Sequence, residues 1–439
     1  MRVGIFTGSF PVVSETFILR HVTGLIDLGH AVEVFAERRP EAGAPVHRAV
    51  MTYGLMERTT YVNPQLPTSS GYWEAPAWPP HGRTWIPGSD RPESNPRRIA
   101  AALPSMFRLV RSHPSVALDV LSPAEYGYQA RSLSALYRAA LLASCAGPCD
   151  VAHAHFGTTA RAFRFVRKLW SAPFVVSFHG FDATTYPREQ GRGVYSRLFQ
   201  TADAVIANSR FTRARLLQLG CPEPKVQVFP ETIDFREIEY HERALVPHEP
   251  LRLLSVARLV PIKGLESAIA AVARVRQQLP QVEYTIVGEG PQRPALEALI
   301  RSEGLEGRVR LRGAADAAHV QELRSRAHLF LMPSVTIEGD QEAQGLALQE
   351  AQAAGLPVIA TRHGGLPEGM SPEAGLLVGE GDPDALSRAI LALAARSGEW
   401  PMMGRAGREF VRAKYDVRDI STRLVRLYEN LRAAVDEAA

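Results

Sequence analysis

Two glutamates, Glu342 and Glu350, stand eight residues apart around Gly345 in the stretch GDQEAQGLALQEAQAAGLPVIATRHGG. Glycine at a helix start lets the backbone approach a ligand closely, and the unpaired amides of the first turn attract an anion. One carboxylate in the loop and another two turns along can each accept hydrogen bonds from neutral hydroxyls, as sugars and riboses require. The same spacing also suits an acidic helix start held by the helix dipole, with the second glutamate solvated. A second pair sharpens the choice. In VARLVPIKG, Arg258 and Lys263 follow one strand and precede a helix, on the carboxyl edge where open α/β sheets bind ligands. Two cations there could neutralise a diphosphate, arginine by forking onto two oxygens and lysine as a point charge. Alone, the pair reads as a solvated loop; beside the two glutamates it reads as a site.

The first half offers HAHFGTTARAF and SFHGFDA, which set His153, His155, His179 and Asp182 at strand ends. Their spacings match no zinc motif. A satisfied structural histidine is the plainer reading of His153 and an equal alternative for His155. His179, between Phe178 and Gly180, fits a close-packed loop facing an inter-domain cleft. Two other motifs fail. VGEGPQR has Gly288 and Gly290 after a strand, but Arg293 where a dinucleotide fingerprint needs its third glycine. Asp382 and Asp384 resemble a metal-binding pair, yet they flank Pro383 at a helix start, where capping explains them better. No catalytic metal is therefore expected. Cys145, Cys149 and Cys221 complete no zinc site and read as buried free thiols suited to a reducing cytosol.

These residues need a scaffold. A chain of 439 residues is too long for one ordinary core, and two domains of about 200 residues each are expected. Short β-branched runs alternate with Ala/Leu/Arg helices, which is α/β patterning. A strand at 2–6 ends at Gly8, and Ser14 is the expected cap of a helix whose apolar stripe uses Phe17, Ile18, Val22, Leu25 and Ile26. Helices are expected near 97–112 and 122–146, then strands at DVAHAHF and PFVVSFHG and a strand–helix unit at 203–219. After a polar linker near 240–249, a second series alternates strand and helix from 251 to 360. Residues 416–435 form an amphipathic helix, with Asp416 as its cap and Asp419 near the capping-box position. Residues 61–96 break the pattern with eight prolines and three of the five tryptophans (Trp73, Trp78, Trp85), and read as an insertion folding over a surface.

A net charge of +4 is compatible with nucleotide diphosphates or a lipid surface, but too weak to indicate nucleic acid. No charged-then-apolar leader precedes the first strand, and no apolar run reaches the roughly 18 residues of a membrane span. A cytoplasmic location is expected, with contact at the inner face of the plasma membrane. The basis for that contact is the stretch RRIAAALPSMFRLVR, where Arg97, Arg98, Arg108 and Arg111 stand beside Met106, Phe107 and Leu109. The plainer alternative is a surface helix broken by Pro104.

Taken together, these segments resemble glycosyltransferase family 4, the retaining, nucleotide-sugar-dependent enzymes of GT-B fold. The likeness covers nearly the whole chain apart from 61–96 and is strongest from 251 to 378. Glu342 with Glu350, Arg258 with Lys263, VGEGP and GLPVIATRHGGLPE follow the family's order and spacing, while FPVVSETFI and HAHFG resemble its exopolysaccharide, colanic-acid-type branch. The resemblance implies two Rossmann-like domains facing a deep cleft, at 1–230 on the acceptor side and 231–412 on the donor side. A C-terminal helix at 413–439 would cross back to the first domain.

It also implies roles. Arg258 and Lys263 would hold the donor diphosphate and Glu350 the ribose. Glu342 with the loop Ala343, Gln344, Gly345 and Leu346 would hold the donor sugar. His179, with Asp182 nearby, would lie at the reacting face. Gly8 and Ser9 would close on the phosphates, and Gly364, Gly365 and Glu368 would line the pocket. The implied reaction moves a hexose from a UDP- or GDP-sugar to a hydroxyl of a glycan or lipid-linked glycan, with no cofactor. A sugar-nucleotide epimerase of the same fold is the rival. Where the family has an Asn-Gly turn this chain reads FPETIDF, with Glu231 and Thr232, and AQG stands at 343–345.

Overall fold

The computed structural model describes residues 1–40, 46–62, 95–145 and 147–438, less the side chains of 95–98, 101, 145 and 438. The Pro/Trp-rich stretch therefore lies almost wholly outside the described residues.

Two parallel sheets organise the chain. The first holds β1 (Arg2–Ser9), β2 (Ala31–Arg38), β3 (Thr59–Tyr61), β4 (Val151–His155), β5 (Phe174–Phe178), β6 (Ala204–Ala207) and β7 (Val226–Val228), in the order β3-β2-β1-β4-β5-β6-β7. The second holds β8 (Leu251–Val256), β9 (Val282–Val287), β10 (Val309–Leu311), β11 (Leu329–Met332), β12 (Val358–Thr361) and β13 (Gly375–Val378), in the order β10-β9-β8-β11-β12-β13. Each order reverses once, between β1 and β4 and between β8 and β11, which opens a crevice at the carboxyl ends of those strands. β1 is buried from Val3 to Gly8, as a strand covered on both faces must be. Phe6 stacks on Phe35 at 4.9 Å and meets Phe163 at 5.1 Å and Trp170 at 5.6 Å. Burying such a ring contributes about 2–3 kcal/mol.

Several local expectations need correction. The first helix spans Thr16–Asp27 with Glu15, not Ser14, at its cap, because the Glu15 N–H turns back to the Val12 carbonyl at 3.1 Å. The single helix expected over 122–146 is three: Pro123–Tyr126, Tyr128–Arg131 and Ser134–Cys145. Gly127 (φ 54°) and Leu133 (φ 62°) adopt positive φ at the two breaks, which no helix tolerates. Pro104 does not break its helix, which runs through Asn95–Ser112.

The chain passes between the sheets twice, and the two passages are bonded to each other. The Ile233 N–H donates to the Tyr415 carbonyl at 2.7 Å, and the Val417 N–H donates to the Ile233 carbonyl at 3.0 Å. Asp416 then accepts from the Arg418 N–H at 2.9 Å and starts the terminal helix Val417–Ala438. That helix lies against the first one so closely that a Cβ on Gly24 would stand 2.3 Å from Ser421 Oγ. Among the described residues, no helix is long and apolar enough to cross a membrane.

Candidate functional site

β8 ends at Val256, so Arg258 sits at its carboxyl edge, and a short 3₁₀ turn, Pro261–Lys263, follows before Gly264 starts the next helix in the left-handed region. From the adjoining strand β11 the chain runs on to Glu342. The Lys263 ammonium is paired with Glu342 Oε1. Burial alone would push the Glu342 carboxyl up; Lys263, with His363 and Arg258, outweighs it and holds the group below the usual range. Burial lowers Arg258 to about 10, with Glu342 and Asp340 pulling the other way, so it stays cationic at neutral pH. Arg258, Lys263 and Glu342 therefore form one partly buried charge cluster at the sheet's switch point.

The loop carrying Glu342 is held by backbone. Buried His363 accepts the Glu342 N–H on Nε2 at 2.9 Å, and its Nδ1 lies 3.0 Å from Glu380. Gly365 N–H donates to the Glu342 carbonyl at 2.9 Å. A Cβ at Gly364 would lie 2.1 Å from Glu342 O, and one at Gly365 would lie 1.9 Å from Ala343 O. These two glycines support the loop from behind; their close approach is to protein. Gly345 (φ 79°) caps helix Leu346–Ala353, and a Cβ there would meet Leu366 at 2.3 Å. Ala343 and Gln344 are buried. Gln344 accepts the Glu231 N–H at 2.7 Å and donates to the Glu231 carbonyl at 2.9 Å.

Glu350, on that helix, is not brought into the Lys263 cluster by any hydrogen bond among the described residues. Oε1 accepts from Arg20 of the first helix at 2.9 Å, and Oε2 accepts from Arg324. Arg20 also donates to the Thr232 carbonyl at 3.1 Å. Burial pushes Glu350 up, and the two guanidiniums more than offset it, leaving the carboxyl below its usual range. Glu368 likewise has partners across the domains. It accepts from the Arg210 and Phe211 N–H groups at 3.0 and 3.1 Å, capping helix Arg210–Gln218. Gly8 and Ser9 are the last residues of β1, Ser9 in register with Arg38, and not a loop; neither makes a hydrogen bond to the second sheet's domain among the described residues.

On the facing wall, Asp182 is fully buried and accepts from the N–H groups of Gly157 (2.9 Å), His179 (2.9 Å) and Gly180 (3.0 Å). It fixes the loop that presents His179. Gly180 (φ 132°) then approaches Ala343 so closely that a Cβ would stand 3.0 Å from the alanine methyl. The cleft is also bridged by Thr184 Oγ1, which donates to Asp340 at 2.7 Å, and by Arg215, which donates to Gln341 at 3.0 Å.

Behind His179 runs a chain of side chains that sequence reading did not assemble. His179 Nδ1 lies 3.0 Å from Glu231 Oε1, and its Nε2 lies 3.0 Å from His155 Nδ1. His155 Nε2 is 2.8 Å from His21 Nδ1, and His21 Nε2 is 3.0 Å from the Tyr428 hydroxyl. That hydroxyl is 2.5 Å from His153 Nδ1, whose Nε2 is 2.7 Å from Ser177 Oγ. Burial lowers His21 to about 3 and puts His153 and His155 well below the ordinary histidine range. His21, His153 and His155 bring ring nitrogens within 4.8 Å of one another. Two of those nitrogens, at 2.8 Å, are closer than two ligands of one tetrahedral zinc, about 3.3 Å for zinc–nitrogen bonds of about 2.0–2.1 Å. Hydrogen bonding accounts for the cluster.

Sequence reading missed Arg20, His21, Arg324, His363 and Tyr428 as parts of this cleft. Arg20 and His21 did carry a signal, since they interrupt the apolar stripe of the first helix. Glu15 is another: burial, with a push from Glu231 and against the pull of Arg38, raises its carboxyl to about 8.

Two Rossmann-like parallel sheets facing across a cleft, with ligand-seeking residues at their carboxyl edges, are the architecture of a GT-B glycosyltransferase. HepE from Anabaena, in a crystal structure with UDP and glucose, shares this fold at a TM-score of 0.67 and 16% identity, over 98% of this chain and 100% of that one. Residues 250–396 match the family described as glycosyl transferases group 1, and residues 85–237 match glycosyltransferase family 4. The amylovoran biosynthesis glycosyltransferase AmsK of Erwinia amylovora is 31% identical over 438 residues, covering 98% of this chain and 100% of that protein. The putative colanic acid biosynthesis glycosyltransferase WcaL of Escherichia coli is 30% identical over 445 residues, covering 98% and 100%. The chain belongs to glycosyltransferase family 4, alongside these exopolysaccharide glycosyltransferases.

Proposed function

We propose that this glycosyltransferase moves a hexose from a UDP- or GDP-sugar to a hydroxyl of a glycan, with retention at the anomeric carbon and without metal or other cofactor, in bacterial cell-surface or exopolysaccharide synthesis. The observation that carries the reading is the partly buried cluster of Arg258, Lys263 and Glu342 at the carboxyl edge of β8, facing the His179 loop. In the ligand-free cleft, Glu342 is the counter-ion of Lys263. A donor diphosphate would take over that role, freeing Glu342 to accept a hydroxyl of the sugar. Departure of the diphosphate builds up negative charge, which two fixed cations and the helix amides after Gly345 can stabilise without a metal. Retention follows from same-face attack, in which the leaving phosphate takes the acceptor proton; among the described residues no side chain stands out as a covalent nucleophile.

The names of AmsK and WcaL support a polysaccharide acceptor, and the UDP and glucose in HepE support a nucleotide sugar as donor. We further infer that the acceptor is lipid-linked and reached from the inner face of the plasma membrane, through helix Asn95–Ser112.

The test is nucleotide release from a panel of UDP- and GDP-hexoses, with and without lipid-linked glycan, in EDTA. Acceptor-dependent release with an α-linked product from an α-linked donor is expected. Conversion of the donor without acceptor would indicate an epimerase instead, and loss of turnover on chelation, restored by Mg²⁺ or Mn²⁺, would overturn metal independence.

A further inference from the structure

The hydrogen-bonded chain ending at Glu231 has a direction. An ionised carboxylate only accepts, so His179 Nδ1 carries the proton that faces Glu231 Oε1. With one N–H on each ring, His179 Nε2 accepts and His155 Nδ1 donates to it. The same step repeats. His155 Nε2 accepts from His21 Nδ1, and His21 Nε2 accepts from the Tyr428 hydroxyl. The tyrosine oxygen accepts from His153 Nδ1, and His153 Nε2 accepts from Ser177. One carboxylate thereby sets four rings in the Nδ1–H tautomer, and no donor or acceptor along the chain is left over.

His179 consequently has no ring nitrogen free for a ligand, since both are engaged at 3.0 Å. What the chain presents to the cleft is Glu231. Its Oε1 accepts from His179 and from Asn208 Nδ2, each at 3.0 Å. Its Oε2 has no hydrogen-bond partner among the described residues. Its backbone is clamped on both sides by Gln344, next to Gly345 at the start of the helix after Glu342. A small cavity lined by Phe17, His155, His179, Asn208, Glu231 and Thr232 opens beside it. A carboxylate in such a place repels a phosphate and suits a neutral O–H donor.

We propose that Glu231, rather than the His179 ring, is the residue on the first domain's side of the cleft that accepts a hydroxyl hydrogen from the transferred sugar. His179, His155 and His21 act through it as positioning residues. This rests on the glycosyl-transfer reading above.

Two measurements test it. The first needs no substrate: long-range ¹H–¹⁵N spectra of histidine-labelled protein, with assignments from single His→Gln variants. His21, His153, His155 and His179 are expected with the ring proton on Nδ1, in contrast to the Nε2–H form usual for free histidine. In Glu231→Gln and in His155→Phe, His179 should keep that tautomer, because an oxygen of residue 231 still accepts from Nδ1; in Glu231→Ala, which removes that acceptor, it should become mixed. An Nε2–H signal from His179 in the wild type would overturn the relay. The second is kinetic. Glu231→Gln replaces an acceptor by an N–H₂ donor and should lower kcat/KM for the donor about 10- to 100-fold, with the melting temperature unchanged. Wild-type turnover with Glu231→Gln within twofold of it would overturn this inference alone. Absence of turnover by the wild type with every nucleotide sugar would overturn the glycosyl-transfer reading, and this inference with it.

Discussion

Glu350 lies between guanidiniums from two domains, Arg20 and Arg324, and all three side chains are largely buried. Removing a buried carboxylate leaves its cations unpaired, which costs more than the pair itself contributes. Glu350→Ala is therefore expected to lower unfolding stability by about 3–5 kcal/mol, measured by urea denaturation. Unchanged stability with a raised KM for the donor would instead show that Glu350 serves a ligand and that the arginines readily move aside. The sequence marked Glu350 by its distance from Glu342 but not its partners, because Arg20 lies 330 residues away. Asp182 was legible as a residue near His179, yet its three backbone partners make it the support of the loop.

Elements were read best where one pattern dominates. Short apolar runs such as β5 and β11 read as strands buried on both faces, and they appear as such. Breaks were read poorly. A leucine at φ 62° leaves no mark in a sequence, so the three helices over 123–145 looked like one. Helix Asn95–Ser112 shows the same limit from the other side, because only its partners reveal which face is wet. Leu109 is buried and Met106 packs on the core, whereas Ile99 (57% exposed), Leu103 (51%), Phe107 (71%) and Val110 (47%) face outward. Arg108 and Arg111 are exposed on the same helix. Apolar area and positive charge act together in binding anionic lipid, and neither anchors firmly alone. Flotation with anionic vesicles should carry the protein upward at low salt and less at physiological salt. Leu103→Glu with Phe107→Glu should abolish it. Protein left in the soluble fraction at both salt concentrations would remove the membrane from the account.

At the scale of the whole molecule, two successive α/β series were enough to read two Rossmann-like units. The way they meet was not readable, since bonds such as Glu231 to Gln344 and Thr184 to Asp340 join residues 113 and 156 positions apart. Their net effect is a cleft of opposite polarities. The second domain contributes Arg258 and Lys263, suited to a diphosphate, and the crossover after β7 contributes Glu231 on the His179 side, suited to hydroxyls. In the proposed reaction the two cations stabilise a departing diphosphate. This role is tested most directly by kcat for Arg258→Ala and Lys263→Ala with the donor that the wild type uses. Each removes a charge-assisted contact made strongest in the transition state, so a fall of about 10²-fold is expected in folded protein. Rates like those of the wild type in both variants would contradict the account.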